Sequence, residues 1–179
     1  MQPILQHDLL DSLLHEHASV LGADMTAYRN HCLRVFNYYC WQRTPDEQEQ
    51  RHAAVALAFH DIGIWTDGTW DYLDPSAKRM RDWVAARASD LDVELVEAMI
   101  QQHHKITSWR GAQTGPVEAL RRADWIDVLF SFVGYGVAAD FRRAVKAALP
   151  DAGFHWRLVQ LTARRLLTRP WSPMPMMRW

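Results

Sequence analysis

The sequence predicts an all-α domain, and three observations carry that prediction. Apolar residues recur at three- and four-residue spacing along most of the 179-residue chain. No stretch of any length alternates apolar and polar residues in the manner of a half-exposed strand. The breaks between periodic stretches fall at glycine, proline or capping residues. The length suits a single domain, 1–179, with a sizeable core, and the periodic stretches number seven or eight.

The first predicted helix covers 4–21. Ile4, Leu5, Leu9, Leu10, Leu13, Leu14, Val20 and Leu21 share the spacing, and Gly22 ends it. His7, His15 and His17 fall here as surface or packing residues, because helical spacing alone does not make a ligand. A second helix starts at Asp24 or Thr26 and runs to about Gln42. Tyr28, Cys32, Val35, Phe36 and Tyr39 face inward, with His31 at the edge of that face. Cys32 and Cys40 lie about 12 Å apart along this helix, too far for a disulfide. They read as two buried thiols in a reducing compartment.

The third helix has the clearest start. Thr44 caps it, Pro45 takes its first position, and Glu47 completes a capping box. It runs through Ala53–Phe59 to His60 and Asp61, where Gly63 breaks it. Apolar residues surround its last turns, so that end belongs in the interior. The loop 63–75 follows, with Trp65, Asp67, Trp70 and Tyr72. It is either a lid over a site or a connection pinned by its aromatics.

Asp74 and Pro75 open a fourth helix to about Ala88. A fifth runs from about Asp92 to Lys105, with Leu95, Val96, Met99 and Ile100 inward; His103 falls in that stripe and His104 at its edge. Gly115 and Pro116 open a sixth, to about Val133, whose inward stripe is Val117, Leu120, Asp124 and Val128. Two more cover about 137–149 and 154–168. The tail, 170–179, holds three prolines and cannot be a regular helix. Trp171, Met174, Met176, Met177 and Trp179 are too apolar to leave in water together. Docking on its own domain is the first arrangement and packing across a homodimer the second.

A formal charge of −1 argues against a protein that binds nucleic acid through its overall field. No stretch approaches the roughly 18 apolar residues of a membrane span. Met1 to Asp8 lacks the basic start and apolar core of a signal peptide, so a cytoplasmic protein is expected.

The chemistry lies where carboxylates enter apolar helix faces. A buried carboxylate is costly unless paired or bound to a cation. His31, the adjacent pair His60 and Asp61, and Asp124 put ligand-type side chains inward on three helices, which can converge on one point. Two imidazoles and two carboxylates suit Mn, Fe, Co, Ni, Zn or Mg and leave positions for water, whereas calcium prefers oxygen alone. In the bland alternative Asp124 pairs with Arg121 and His31 is a satisfied core histidine.

The order His, then His-Asp, then Asp on successive helices resembles the HD-domain superfamily of metal-dependent hydrolases. The likeness runs over roughly 26–135. It includes Asn-His-Cys-Leu-Arg-Val around His31, Ala-Phe-His-Asp-Ile-Gly, Ile-Gln-Gln-His-His, and Arg-Ala-Asp-Trp-Ile-Asp around Asp124. It implies an HD-type helical domain in which His31, His60, Asp61 and Asp124 bind a divalent metal. It also implies hydrolysis of phosphate esters or nucleotides. Ile64 stands where many relatives have lysine. No Gly-Tyr-Pro follows His103 and His104, which separates the chain from the cyclic dinucleotide phosphodiesterase branch. The extra ligands of the di-iron oxygenase relatives are incomplete, with no histidine between Asp61 and His103.

The expected activity is therefore that of a metal-dependent phosphohydrolase, in which metal-activated water attacks a small phosphorylated metabolite or nucleotide. One ion per chain is expected, with Asp61 at the reacting centre and His103 or His104 facing the substrate. Asp67 is a candidate general acid or a plain turn residue. Lys105, Arg110 and Lys78, with Arg79 and Arg121, are candidate phosphate contacts or solvated helix charges. Two rivals use the same site: a hydratase or small-amide or nitrile hydrolase, and a non-catalytic module that keeps its metal.

Overall fold

The centre of the molecule is a helix covered on every side. In the computed structural model, which describes residues 1–177, α3 (Met25–Arg43) is buried at every residue from Asn30 to Cys40. The single apolar face expected for it is therefore only part of its buried surface: Arg34 and Asn37 are buried as well, each held by hydrogen bonds. α3 packs on α8 (Thr114–Val128) and α4 (Glu47–Phe59), and α7 (Val93–Gln102) lies against both α4 and α8.

Around these four, α1 (Asp8–Glu16) packs on α4, α6 (Leu73–Arg87) covers α7 and α4, and α9 (Ala139–Ala148) and α10 (Phe154–Thr168) touch α3. Two single turns, α2 (Ala18–Leu21) and α5 (Gly63–Thr66), complete the list. Eight helices are nine residues or longer, and no strand occurs among the described residues. One apolar core joins α1, α3, α4 and α6 to α9. No helix is long and apolar enough to cross a membrane among the described residues. Both cysteines are buried and unpaired.

Several boundaries differ from expectation for identifiable reasons. The first helix starts at Asp8, with His7 as its cap. Ile4 is instead held by Asn37, whose side-chain oxygen accepts the Ile4 N–H at 2.7 Å and whose amide donates to the Ile4 carbonyl at 2.8 Å. His17 then divides the expected helix into α1 and α2.

Thr44 does not cap α4. It closes α3 in a left-handed conformation (φ 48°), its N–H donating to the Cys40 carbonyl. The cap of α4 is Asp46, which accepts from Glu49 N–H at 2.8 Å. Gly63 does not end a helix either; it opens α5. A Cβ there would lie 2.9 Å from the Tyr72 carbonyl and 3.1 Å from the Ser76 hydroxyl. Glycine lets the chain pass that close, so the loop folds back over the end of α4.

α8 stops at Val128, not Val133. Phe130 adopts φ 53°, its N–H donating to Asp127 O, while the Ser131 N–H donates to Ile126 O. This is a Schellman closure made without glycine. The tail docks on its own domain at Met176, while Trp171 is 81% exposed, so its apolar residues are not buried as a group. Trp70 donates to Pro173 O at 2.9 Å, and Met176 is buried with Ile64, Tyr72 and Leu73 in a small second cluster. Trp179 lies outside the described residues.

Candidate metal centre

Six ligand-type side chains meet where four helices converge. His31 projects from the middle of α3 and Asp124 from α8. His60 and Asp61 occupy the turn after α4, and His103 and His104 the turn after α7. None is more than 7% exposed. His103 and His104 follow directly on α7, with His103 still in helical backbone geometry (φ −61°, ψ −30°). Both reach the cluster, whereas the sequence placed only His103 toward it.

The ring Nε2 atoms of His31 and His60 are 3.0 Å apart. Asp61 Oδ2 lies 3.2 Å from His60 Nε2 and 3.9 Å from His31 Nε2. Its other oxygen, Oδ1, lies 3.3 Å from His103 Nε2. Asp124 divides in the same way, with Oδ1 at 3.5 Å from His31 Nε2 and Oδ2 at 3.2 Å from His104 Nδ1. The donor atoms of His31, His60 and Asp61 lie within 4.8 Å of one another, as do those of Asp61, His103 and His104. Either group could hold a metal ion.

The outward nitrogen of each imidazole fixes the inward one. His31 Nδ1 meets Asp127 Oδ2 at 2.8 Å, His60 Nδ1 the Leu57 carbonyl at 2.7 Å, and His103 Nδ1 the Ile100 carbonyl at 2.6 Å. These partners only accept, so each Nδ1 donates there and each Nε2 is directed inward. His104 has the opposite orientation: Nε2 meets the Tyr72 hydroxyl at 2.8 Å and Nδ1 faces inward. Histidines that bind metal are held by outer partners of this kind.

The inward Nε2 atoms of His31 and His60, 3.0 Å apart beside two carboxylates, form a donor set that a cation could bridge. Asp61 Oδ1, both Asp124 oxygens, His103 Nε2 and His104 Nδ1 are buried without a hydrogen bond. Such unsatisfied buried atoms are rare in folded proteins. The residues present fit a divalent ion.

Electrostatics agree. Burial alone would raise the Asp61 carboxyl, but His60, His103 and His104 outweigh it and hold it below the usual carboxylate range. Asp124 is likewise lowered against burial, chiefly by His104, which is itself raised by Asp124 against its own burial. Burial, opposed by Asp61, lowers His60, the direction that favours a ligating imidazole.

Sequence reasoning missed the support of the centre. Asp127, one turn after Asp124, accepts from His31 and from Arg34 Nε and Nη2 at 2.6 and 2.7 Å. Arg34 is itself one turn after His31. The i,i+3 spacing of Asp124 with Asp127 and of His31 with Arg34 was the available signal. Tyr72, assigned to the loop, is buried and orients His104.

The bland pairing of Asp124 with Arg121 does not occur, because Arg121 is held by Glu118. Other candidates lie elsewhere. Asp67 pairs with Arg79 and accepts from Thr66, and it is not at the cluster. Its short link to α6 makes it a turn and pairing residue. Lys78 is exposed and pairs with Asp82. Arg110 is exposed. Lys105 is half-buried, and its carbonyl accepts from Arg121 and Trp125.

A cavity of about 380 Å³ reaches the cluster, with Asp61 and His104 in its lining beside Tyr72 and Trp70. Among the described residues no lysine or arginine lines it. Comparisons with family models, curated proteins and solved structures return no match for this chain.

Proposed function

We propose that the protein is a divalent-metal-dependent hydrolase of the HD type. The observation that supports this best is the set of buried, unpartnered inward atoms on Asp61, Asp124, His103 and His104 at the end of a cavity. His31, His60, Asp61 and Asp124 would hold the ion, and Asp61, His103 and His104 supply donors for a second beside it. A bound divalent cation would polarise the scissile group and bring the pKa of a bound water toward about 7.

The chain's own residues do the rest. Asp127 and Arg34 lock the His31 ring, while the Leu57 and Ile100 carbonyls lock His60 and His103. The apolar core behind the cluster excludes bulk water. Tyr72 stays protonated, since burial and then Asp61 and Asp124 push its hydroxyl well above the usual range. It lines the cavity, where it can donate to the substrate's polar group.

Phosphate esters are the first substrate class, on the resemblance to HD hydrolases. The absence of lysine and arginine from the described lining favours a second reading, hydrolysis or hydration of a neutral amide or nitrile at the same centre. Turnover of a panel of phosphomonoesters, nucleotides, small amides and nitriles with Mn²⁺, Co²⁺ or Zn²⁺ decides between them. Turnover that needs added metal and is lost in Asp61→Ala supports a hydrolase. No turnover with any metal leaves a non-catalytic metal module and overturns it.

A further inference from the structure

The cavity above the metal centre has walls that a nucleotide would not use. Leu158, Val159 and Leu166 of α10 form one side, Met174 and Met176 of the tail another, and Val128 closes the end of α8. On α10 the cavity-facing positions recur at helical spacing from Leu158 to Leu166, a stripe about 12 Å long. Thr162 and Ala163 lie in its middle, where small side chains leave room.

α10 is fifteen residues long, yet only Phe154 and His155 of it are buried. Val159 and Leu166 are 54% and 45% exposed. An apolar stripe that faces a cavity and leaves its own side chains wet is unfavourable in the free protein and gains from a matching ligand. Methionine opposite it adapts to shape without setting a polar pattern. A nucleobase and ribose placed there would leave hydrogen-bonding groups unpaired, at a cost of a few kcal/mol in total.

We propose that the substrate carries a sizeable uncharged apolar body, aliphatic or aromatic, which lies between α10 and the tail and delivers one polar reactive group to Asp61 and His104. This deepens the hydrolase reading and rests on it for the reacting group, but the apolar subsite is defined by its own walls. Nucleotides are excluded as preferred substrates.

The test uses two series of full-length ligands on the full-length chain, n-alkylphosphonates and n-alkanamides of increasing length, measured by calorimetry with and without Mn²⁺. Bound manganese is measured separately. Affinity is expected to rise about fourfold per methylene in at least one series. Adenosine monophosphate should bind no tighter than the shortest alkylphosphonate. Ala163→Trp, which fills the stripe, and Thr162→Lys, which places a charge in it, should each flatten the slope and leave bound manganese unchanged.

A flat slope in both series, or adenosine monophosphate binding tighter than the longest alkyl ligand, overturns the proposal even if manganese binds. A steep slope with no binding of Mn²⁺, Co²⁺ or Zn²⁺ upholds the apolar subsite and removes the hydrolase reading. A slope unaffected by both variants places the apolar ligand elsewhere and also overturns the proposal.

Discussion

Glu118 and Asp124 lie less than two turns apart on α8 and are both buried, yet their surroundings are opposite. Glu118 accepts from the Trp109 N–H, from Arg121 through two nitrogens and from Arg122, all between 2.7 and 2.8 Å. Asp124 faces only imidazole nitrogens, His31 at 3.5 Å and His104 at 3.2 Å, and no arginine or backbone N–H. Asp127, one turn on, is satisfied again by His31 and Arg34. A carboxylate that only stabilises the fold is surrounded by the chain's own donors. One that faces only inward-directed imidazoles has room for a ligand from outside. The contrast along one helix separates architecture from chemistry without appeal to any relative.

The largest expected effect attacks the bare side. Asp61→Ala should abolish metal binding altogether. Added metal should raise the denaturant midpoint of the wild-type protein and leave that of the variant where it is. A variant whose midpoint still rises on adding metal would break the contrast.

Glu118→Ala should be the reverse. It strands a buried guanidinium and lowers stability by about 3–5 kcal/mol, equally with and without metal. Urea unfolding in both states checks this. A loss seen only in the metal-bound state would place Glu118 in the centre.

Asp127→Asn keeps the shape but weakens the hold on His31. Metal affinity should fall about 10- to 100-fold, by titration calorimetry, and stability should fall as well, because the buried Arg34 loses its carboxylate partner.

A smaller effect concerns pH. The arginines and the Trp109 N–H outweigh burial and depress the Glu118 carboxyl from 4.5 to about 2. A depressed acid stabilises fully above its unfolded pKa, so this contribution is present above 4.5 and is lost as pH falls toward about 2. Glu118→Gln should flatten that part of the acid limb. An unchanged limb would show the carboxyl is not held by its partners.

The smallest concerns the thiols. Burial, with Glu49 next, pushes Cys40 up to about 12, and burial raises Cys32 further. Neither should react with a thiol reagent at neutral pH until the chain unfolds. Rapid labelling of native protein would contradict the packing of α3.

The helices were legible because apolar spacing is a local property; caps were less so, since Asp46 rather than Thr44 caps α4. His31, His60, Asp61 and Asp124 were legible because ligand-type residues on inward faces are anomalous wherever they occur. What the sequence hid was set by tertiary contact. Gly63 looked like a helix breaker but serves a 2.9 Å approach to the Tyr72 carbonyl. Phe130 closes α8 in a conformation normally reserved for glycine. His104 faces the cluster between Asp124 and the Tyr72 hydroxyl, contacts that helical spacing alone does not show. Lys78 and Asp67 had plausible chemistry in sequence, and the fold gave each an ionic partner away from the cluster.

Metal binding itself tests the central claim most directly. Chelator-treated protein is titrated with Mn²⁺, Co²⁺ or Zn²⁺ while bound metal and melting temperature are followed together. At least one equivalent should bind. At a free concentration 100 times Kd the native state gains about 2.7 kcal/mol, which raises melting by about 5–10 °C for a chain of this length. Asp61→Ala should show neither change. A wild-type protein that binds no ion and melts at the same temperature with every metal would contradict the reading of Asp61 and Asp124 as ligands awaiting a cation.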